Sequence, residues 1–272
     1  MAVTSLDGLV AALLPQQDVV KVAFTGKFAG AFHSTWTVAG QPGAGANVAS
    51  GVAGTTLVGP NVPGQIPFPT TVVGKRVYLA RMEAAQGGNV GAVILCDRIW
   101  QNSGLSPTVA TAQTVGSTTW DRDNVIDGTF TGAGVSVAME ITTTMTNAGA
   151  VSGTTISYTN SAGVAGRTGA LGNVPVTATA GTVIPMALQA GDFGVRSIQS
   201  ITHPTLTGGA YSLIAYRQIV SLGTPVQHTM AREDGLSLGL PAMHDESVPF
   251  LIYLLTGTAA GVTDVGVTWA QG

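Results

Sequence analysis

The sequence predicts an all-β protein of antiparallel sheets, a β-sandwich or jelly-roll-like fold with a short N-terminal helix. Three observations lead there. After Pro15 the chain turns to runs rich in Val, Ile, Thr and aromatic residues, broken by Gly, Pro, Asn and Asp. Several runs alternate apolar with polar, the period of a strand. No helical pattern separates them, as the crossovers of a parallel sheet would require.

The helix comes first, over Thr4 to Leu14. Thr4 and Asp7 form a capping-box pattern, Leu6, Leu9, Val10 and Leu13 recur at helical spacing, and Pro15 ends the segment. Strands are predicted near Val19 to Phe24, Phe32 to Val38, Thr71 to Arg81, Ala92 to Ile99, Thr108 to Val115 and Val135 to Thr143. Further strands follow near Thr154 to Tyr158, Val174 to Thr179, Val195 to Thr202, Tyr211 to Val220, Pro225 to Met230, Phe250 to Leu255 and Val262 to Trp269.

In GVSVAMEIT the alternation is clean: Val135, Val137, Met139 and Ile141 on a core face, Ser136, Ala138 and Glu140 on the other. The stretch RVYLARMEAAQ, Arg76 to Gln86, holds good helix formers and reads equally as a second short helix. In TNAGAVSGTTISYTNSAGVAGRTG a pair of hairpins is expected, turning at Asn147 to Gly149 and at Asn160 to Gly163. No repeat of fixed period argues for a solenoid or propeller.

Residues 40–69, GQPGAGANVASGVAGTTLVGPNVPGQIPFP, interrupt this texture with neutral, Gly- and Pro-rich sequence. Loops of that length are uncommon inside compact domains. The expected organisation is therefore residues 1–39 with the helix and first strands, residues 40–69 as an extended arm or loop, and residues 70–272 as the main sandwich, a single domain overall. Ordering such a segment is entropically costly, which an arm laid on a neighbouring subunit would offset. The alternative is a loop folded back on its own domain.

Composition bears on function. Charged residues are 9% of the 272, apolar residues 45%, and the mean hydropathy is +0.35. An ordinary soluble domain carries about 25% charged residues. A surface so thin in charge favours association, so much of it is expected to be covered by partners. The net charge of −3 provides no basic patch for phosphates, which argues against nucleic acid as a partner. The single Cys96, within GAVILC, excludes an internal disulfide and reads as a buried small hydrophobe. No apolar run approaches the roughly 18 residues of a membrane helix. MAVTSLDG lacks the basic start of a signal peptide, so synthesis in a cytoplasm is expected.

The motifs for chemistry fail in context. GLSLG, Gly235 to Gly239, fits the pattern around a nucleophilic serine, with His244 and Asp245 downstream. A nucleophile elbow needs a buried strand before it and a helix after it. Arg232, Glu233 and Asp234 precede this one and Pro241 follows, so Ser237 reads as part of a turn. In WDRDNVIDG, Asp121, Asp123 and Asp127 are weak candidates for calcium ligands, but Val125 takes the fifth position and no Glu stands at the twelfth. A polar turn is the simpler reading.

His33, His203, His228 and His244 show no metal-ligand spacing, and His33 and His228 are expected on strand faces. Glu83, Glu140, Glu233 and Glu246 stand apart in sequence. No catalytic residue, cofactor or resident metal is therefore expected. Aromatics are 6% of the chain and scattered; Trp100 is expected at an interface, together with Leu6, Leu9 and Leu13 of the helix.

Two stretches resemble proteins encoded near the head genes of tailed bacteriophages. They are AAQGGNVGAVILCDRIWQNSGLSPTVATAQTV, and TISYTNSAGVAGRTG followed by LQAGDFGVRSIQSI. The resemblance runs from Ala84 to Ile219, while the segments before Gly40 and after Ser221 lie outside it. It implies a virion structural protein of capsid-decoration or minor-capsid type, with a neck, tail or receptor-binding role as the alternative. The implied partners are the major capsid protein or other virion proteins and copies of itself, a trimer being favoured. No membrane is implied, and the virion is the destination.

Overall fold

The computed structural model describes residues 5–22, 27, 29–47, 51–88, 91–117, 119–120, 131–258 and 261–272. After α1 (Leu6–Ala12) come β1 (Gln17–Lys21), β2 (Phe32–Ser34), β3 (Gly40–Gln41), β4 (Thr55–Thr56), β5 (Val77–Gln86), β6 (Gly91–Asn102), β7 (Gln113–Thr114), β8 (Val135–Thr143) and β9 (Thr155–Asn160). Then follow β10 (Arg167–Leu171), β11 (Thr182–Ala187), β12 (Val195–Thr202), β13 (Ala210–Thr224), β14 (Ala231–Asp234), β15 (Ala242–Met243), β16 (Pro249–Leu255) and β17 (Thr263–Gln271). The paired strands are antiparallel. The all-β expectation holds.

One 11-stranded sheet runs β2-β16-β6-β13-β8-β11-β10-β9-β12-β7 with β4 also on β6, and β2 also pairs with β11. That second pairing closes β2, β16, β6, β13, β8 and β11 into a ring. Strand alternation then gives each ring strand an inside and an outside. Ile94 and Cys96 of β6, Ala138 of β8, Val183 of β11, Ile214 and Tyr216 of β13, and Phe250 and Ile252 of β16 form one cluster, the filled lumen. Residues of opposite parity face outward into two further cores. At one end, Val135, Val137, Met139 and Ile141 pack with Tyr158, Ile198 and Ile201 of β9 and β12. At the other, Val93, Leu95 and Leu222 pack with Leu79, Met82, Val265 and Val267 of the second sheet.

That second sheet is six-stranded, ordered β14-β5-β17-β1-β3 with β15 also on β5. RVYLARMEAAQ is therefore a strand rather than a helix, because the alternate residues Val77 and Leu79, and then Met82 and Ala84, must face the core under the ring. The polar face expected for GVSVAMEIT is also buried. Ala138 and Glu140 point into the lumen, so this strand has two core faces.

Inside the lumen, the Arg98 guanidinium donates to Glu140 at 2.6 Å and to the side-chain oxygen of Gln101 at 2.8 and 3.1 Å. It lies 4.6 Å from the ring centre of Trp36 and 5.5 Å from that of Phe250. A bulge at Ile99, where Tyr216 pairs Arg98 and Ala215 pairs Trp100, lets Arg98 point inward and Trp100 outward. Next to it, Asp97 accepts from the Ser247 hydroxyl at 3.0 Å and the Val248 N–H at 2.8 Å. Burial, with the charge of Asp97, pushes the Cys96 thiol well up.

Residues 40–47 and 51–69 of the Gly- and Pro-rich segment fold back on their own chain, as in the loop alternative. The Lys21 ammonium, drawn down to about 8 by burial, donates to the carbonyls of Val38 and Pro42 at the segment's start. Leu57 and Val62 then pack onto the lumen cluster, and Ile66 and Phe68 join the core under the second sheet. The glycines permit close approach. A Cβ at Gly45 would sit 2.6 Å from the Trp36 ring, and one at Gly54 would overlap the Trp100 ring. Trp36 and Trp100 in turn donate their indole N–H to Ala46 and Ala53. What reads as a flexible linker is a lid pressed over two tryptophans.

Of the two hairpins expected, β9 and β10 form the second, while the first is replaced by a single bridge between Val151 and Val174. The strands expected at Val174 to Thr179 and Pro225 to Met230 are loops.

Arg98→Met should destabilise the fold by about 3–5 kcal/mol, since it leaves a buried carboxylate without its cation. Arg98→Met combined with Glu140→Met should cost less than the sum of the two single changes, read by urea denaturation with Cys96 labelling as the probe of opening. Gly54→Ala should cost about 1–3 kcal/mol in the same assay, by overpacking against Trp100.

Candidate functional site

The N-terminal helix is capped by Ser5 rather than by the expected Thr4, which lies outside the described residues. Ser5 is extended, at φ −144 and ψ 161, and its hydroxyl accepts the Gly8 N–H at 3.0 Å. After Ala12 the chain leaves helical geometry, and Leu14 donates to the Trp269 carbonyl at 2.9 Å. This ties α1 to the outer face of the six-stranded sheet, away from the core. Small residues there, Ala80 and Ala270, admit the helix closely, and Leu9 is the side chain that it buries against them.

Ala12 packs beside Leu9, but the large apolar residues Leu6, Val10 and Leu13 are left exposed. Leu6 is 62% exposed, Val10 60% and Leu13 45%. Facing them is Leu236, 68% exposed, at the tip of the GLSLG turn. Together they line a groove of about 380 Å³, with Ala80 and Leu14 along its floor and Arg81 and Asp234 at its rim.

The turn is built to hold Leu236 out. The Asp234 carboxylate accepts the N–H groups of Leu236 and Ser237, both at 3.0 Å, and these bonds hold it below the usual carboxylate range. The Ser237 hydroxyl donates to Glu233 at 2.7 Å and to the Asp234 carbonyl at 2.9 Å. His244 accepts the Glu246 N–H through Nδ1 at 3.2 Å. The serine–histidine motif thus divides into two local turns, and GLSLG serves as a wall of the groove.

A second exposed apolar group stands on the other lobe. Phe193, 81% exposed, is carried by the Gln189–Gly194 connection between β11 and β12. The neighbouring Asp192 fixes that connection. Its carboxylate accepts from Arg167 at 3.0 and 3.1 Å, from Asn160 at 2.7 Å and from the Tyr158 hydroxyl at 2.5 Å. Tyr158 in turn accepts the Gln189 N–H at 2.9 Å. Arg167 first, then the Tyr158 hydroxyl, draw the Asp192 carboxyl down to about 2.

The expected interface residues therefore separate. Leu6 and Leu13 are at the surface, but Leu9 is the buried anchor of the helix. Trp100 is corrected outright: at 1% exposure it packs against Trp120 in the core beneath β9 and β12, turned there by the Ile99 bulge. Asp121, Asp123 and Asp127 lie outside the described residues. Among those described, no three His, Cys, Asp or Glu side chains group as metal ligands, and no helix is long and apolar enough to cross a membrane. His33 is on β2, whereas His228 occupies a turn at φ 56. Sequence reasoning passed over Leu236 and Phe193. The available signal was a large apolar residue inside a turn, flanked in one case by Asp and Gly (GDFG) and in the other by Gly and Ser (GLS).

No protein-family model and no curated protein matches the chain. Among solved structures it is similar to that of the Gx strain of infectious bursal disease virus, with TM-score 0.22 and 11% identity over 95% of this chain and 81% of that one. It is also similar to the T=1 particles derived from infectious bursal virus, with TM-score 0.20 and 11% identity over 95% and 79%. At these scores the superpositions carry no argument, and the functional reading rests on the surface just described.

Asp192 supplies a pH test. Its carboxyl is depressed in the folded state, so its contribution is fully present above the ordinary carboxylate value of 3.8 and is lost as pH falls towards about 2. Asp192→Asn should lower the melting temperature at pH 7, and the gap from the native protein should close between pH 4 and pH 2. A gap that persists unchanged at pH 2 would contradict this account.

Proposed function

We propose that this protein is a non-enzymatic structural component of a tailed-phage virion, made in the host cytoplasm, which decorates or stabilises the shell by binding it and copies of itself. The observation that carries the reading is the apolar groove of α1 and the GLSLG turn, left open on a chain with 9% charged residues. Fully burying one Leu or Val side chain is worth about 1.5–3 kcal/mol, so covering Leu6, Val10, Leu13 and Leu236 supplies the driving force of a specific contact. The engagement of Ser237 within its own turn supports a wall rather than a nucleophile. The resemblance over Ala84 to Ile219 supports the setting. On a lattice, many modest contacts add to durable attachment.

Sedimentation across micromolar concentrations and co-pelleting with phage particles test it. The native chain should self-associate and pellet with the particles. Val10→Asp with Leu236→Asp should weaken both by about tenfold or more, equivalent to about 1.4 kcal/mol. A native protein that stays monomeric and ignores the particles would overturn the reading. Its copy number per virion, by quantitative mass spectrometry, should match a shell component; a few copies would place it at the neck or tail.

A further inference from the structure

We propose that His203 is an acid-sensitive latch: a second proton on its ring releases the segment from Ser103 to Thr114 and bares the edge of β12. The latch needs neither the α1 groove nor a partner, so it stands apart from the assembly reading.

His203 follows β12 directly and is 1% exposed. Both ring nitrogens are engaged. Nδ1 lies 2.8 Å from the Pro204 carbonyl, and Nε2 lies 2.9 Å from the Tyr211 hydroxyl and 3.1 Å from the side-chain nitrogen of Gln113. A carbonyl only accepts, so Nδ1 carries a proton. The Gln113 amide is fixed as well. Its oxygen accepts the Ser106 N–H at 2.7 Å, and its nitrogen donates to the Ser106 carbonyl at 2.8 Å. The Gln113 atom that faces Nε2 is therefore a donor, and Nε2 must accept. The neutral ring protonated on Nδ1 satisfies every partner. A proton on Nε2 sets one N–H against another, and Gln113 loses its acceptor.

The surroundings offer nothing to compensate an imidazolium. Tyr211 is the titratable side chain that His203 touches, and burial pushes it up, so it stays a neutral hydroxyl. Residues 103–117 include no Asp, Glu, Lys, Arg or His. On the adjoining strands, Glu140 is bonded to Arg98 in the lumen, Tyr158 is bonded to Asp192, Arg196 stands at the other end of β12, and Arg217 stands mid-way along β13. Among the described residues no ion pair includes His203.

Gln113 is also what holds its segment. β7 joins β12 through the pairs Thr114–Ser200 and Gln113–Ile201 alone, and Thr108 to Ala112 are exposed. The Gln113 amide bonds the Ser106 turn on one side and meets His203 on the other. Without that tie β7 is free to leave, and Ser200 and Ile201 keep an unpaired main-chain edge, a template for another strand.

Hydrogen exchange tests the latch. An exposed histidine takes up a proton below about pH 6.5. The open segment then binds a proton that the closed one cannot, so closure is constant above that pH and weakens by about tenfold per pH unit below it. In the native chain, followed by mass spectrometry from about pH 8 to about pH 5 and corrected for intrinsic exchange, residues 103–117 should lose protection with that slope. β6, β8 and β13 should not. His203→Gln keeps an acceptor near the Nε2 position but cannot titrate, so its profile should be flat. Nitrogen NMR of the native ring at neutral pH should show the proton on Nδ1, a readout that survives if the variant fails to fold. Native protection of residues 103–117 that is unchanged at about pH 5, a variant that keeps the slope, or a native ring protonated on Nε2 overturns the proposal.

Discussion

The Arg98 guanidinium lies in the lumen of a closed strand ring, bonded at 2.6 Å to Glu140 and faced by the rings of Trp36 and Phe250. Arg98 is on β6 and Glu140 on β8, and β13 runs between them. The pair therefore spans the central strand from inside. A buried ion pair is poor evidence of net stability, because desolvation offsets most of the attraction. Its value here is positional. Side chains alternate along a strand, so a slip of one residue would turn either partner outward into an apolar core. A one-residue slip of β6 or of β8 therefore leaves a charge alone in hydrocarbon.

Much of the remaining architecture follows from that fixed ring. Apart from the second half of β13, where Gln218, Ser221 and Gly223 are exposed, most of its strands are covered on both sides, inward residues filling the lumen and outward residues meeting either the β9–β12 sheet or the six-stranded sheet. This is why GAVILCDRIW is apolar almost without interruption, where a one-sided strand would alternate. The lumen must also be stoppered, and Trp36, Leu57 and Val248 do so. The Gly- and Pro-rich segment brings Leu57 there, and its glycines are the residues that pass over indole rings without collision.

The sequence was legible where the pattern that marks an element is local. Val135–Thr143 and Val195–Thr202 were read to the residue, since alternation and flanking turns mark both ends. β10 was read only as the second arm of a hairpin, without bounds, because RTGAL is short with a central glycine, and β11 was passed over because TVIPMA carries a proline. Ring closure was not legible, because it depends on two residue pairs between β2 and β11, far apart in sequence. The same holds for the lid. Gly45 and Gly54 owe their identity to tryptophans brought against them by folding, and composition alone reads such a segment as a linker. At the surface, helical spacing found Leu6 and Leu13, but could not tell them from Leu9. That distinction depends on Ala80 and Ala270, contributed by strands in the first third and at the end of the chain.

Folding also sharpens the low charge. Lys21, Asp97, Arg98 and Glu140 are all buried, so the exterior keeps fewer charges than the composition suggests. Long-range repulsion between copies is correspondingly weak and does little to select among encounters. On the proposed reading, specificity comes from shape, from apolar groups held in fixed positions. The chain meets that condition at two places by the same device. At each, an aspartate in a tight turn is saturated with hydrogen bonds, Asp234 behind Leu236 and Asp192 behind Phe193, and the residue beside it is turned out to solvent. Polar groups are spent on rigidity, and the contact surface is left to hydrocarbon.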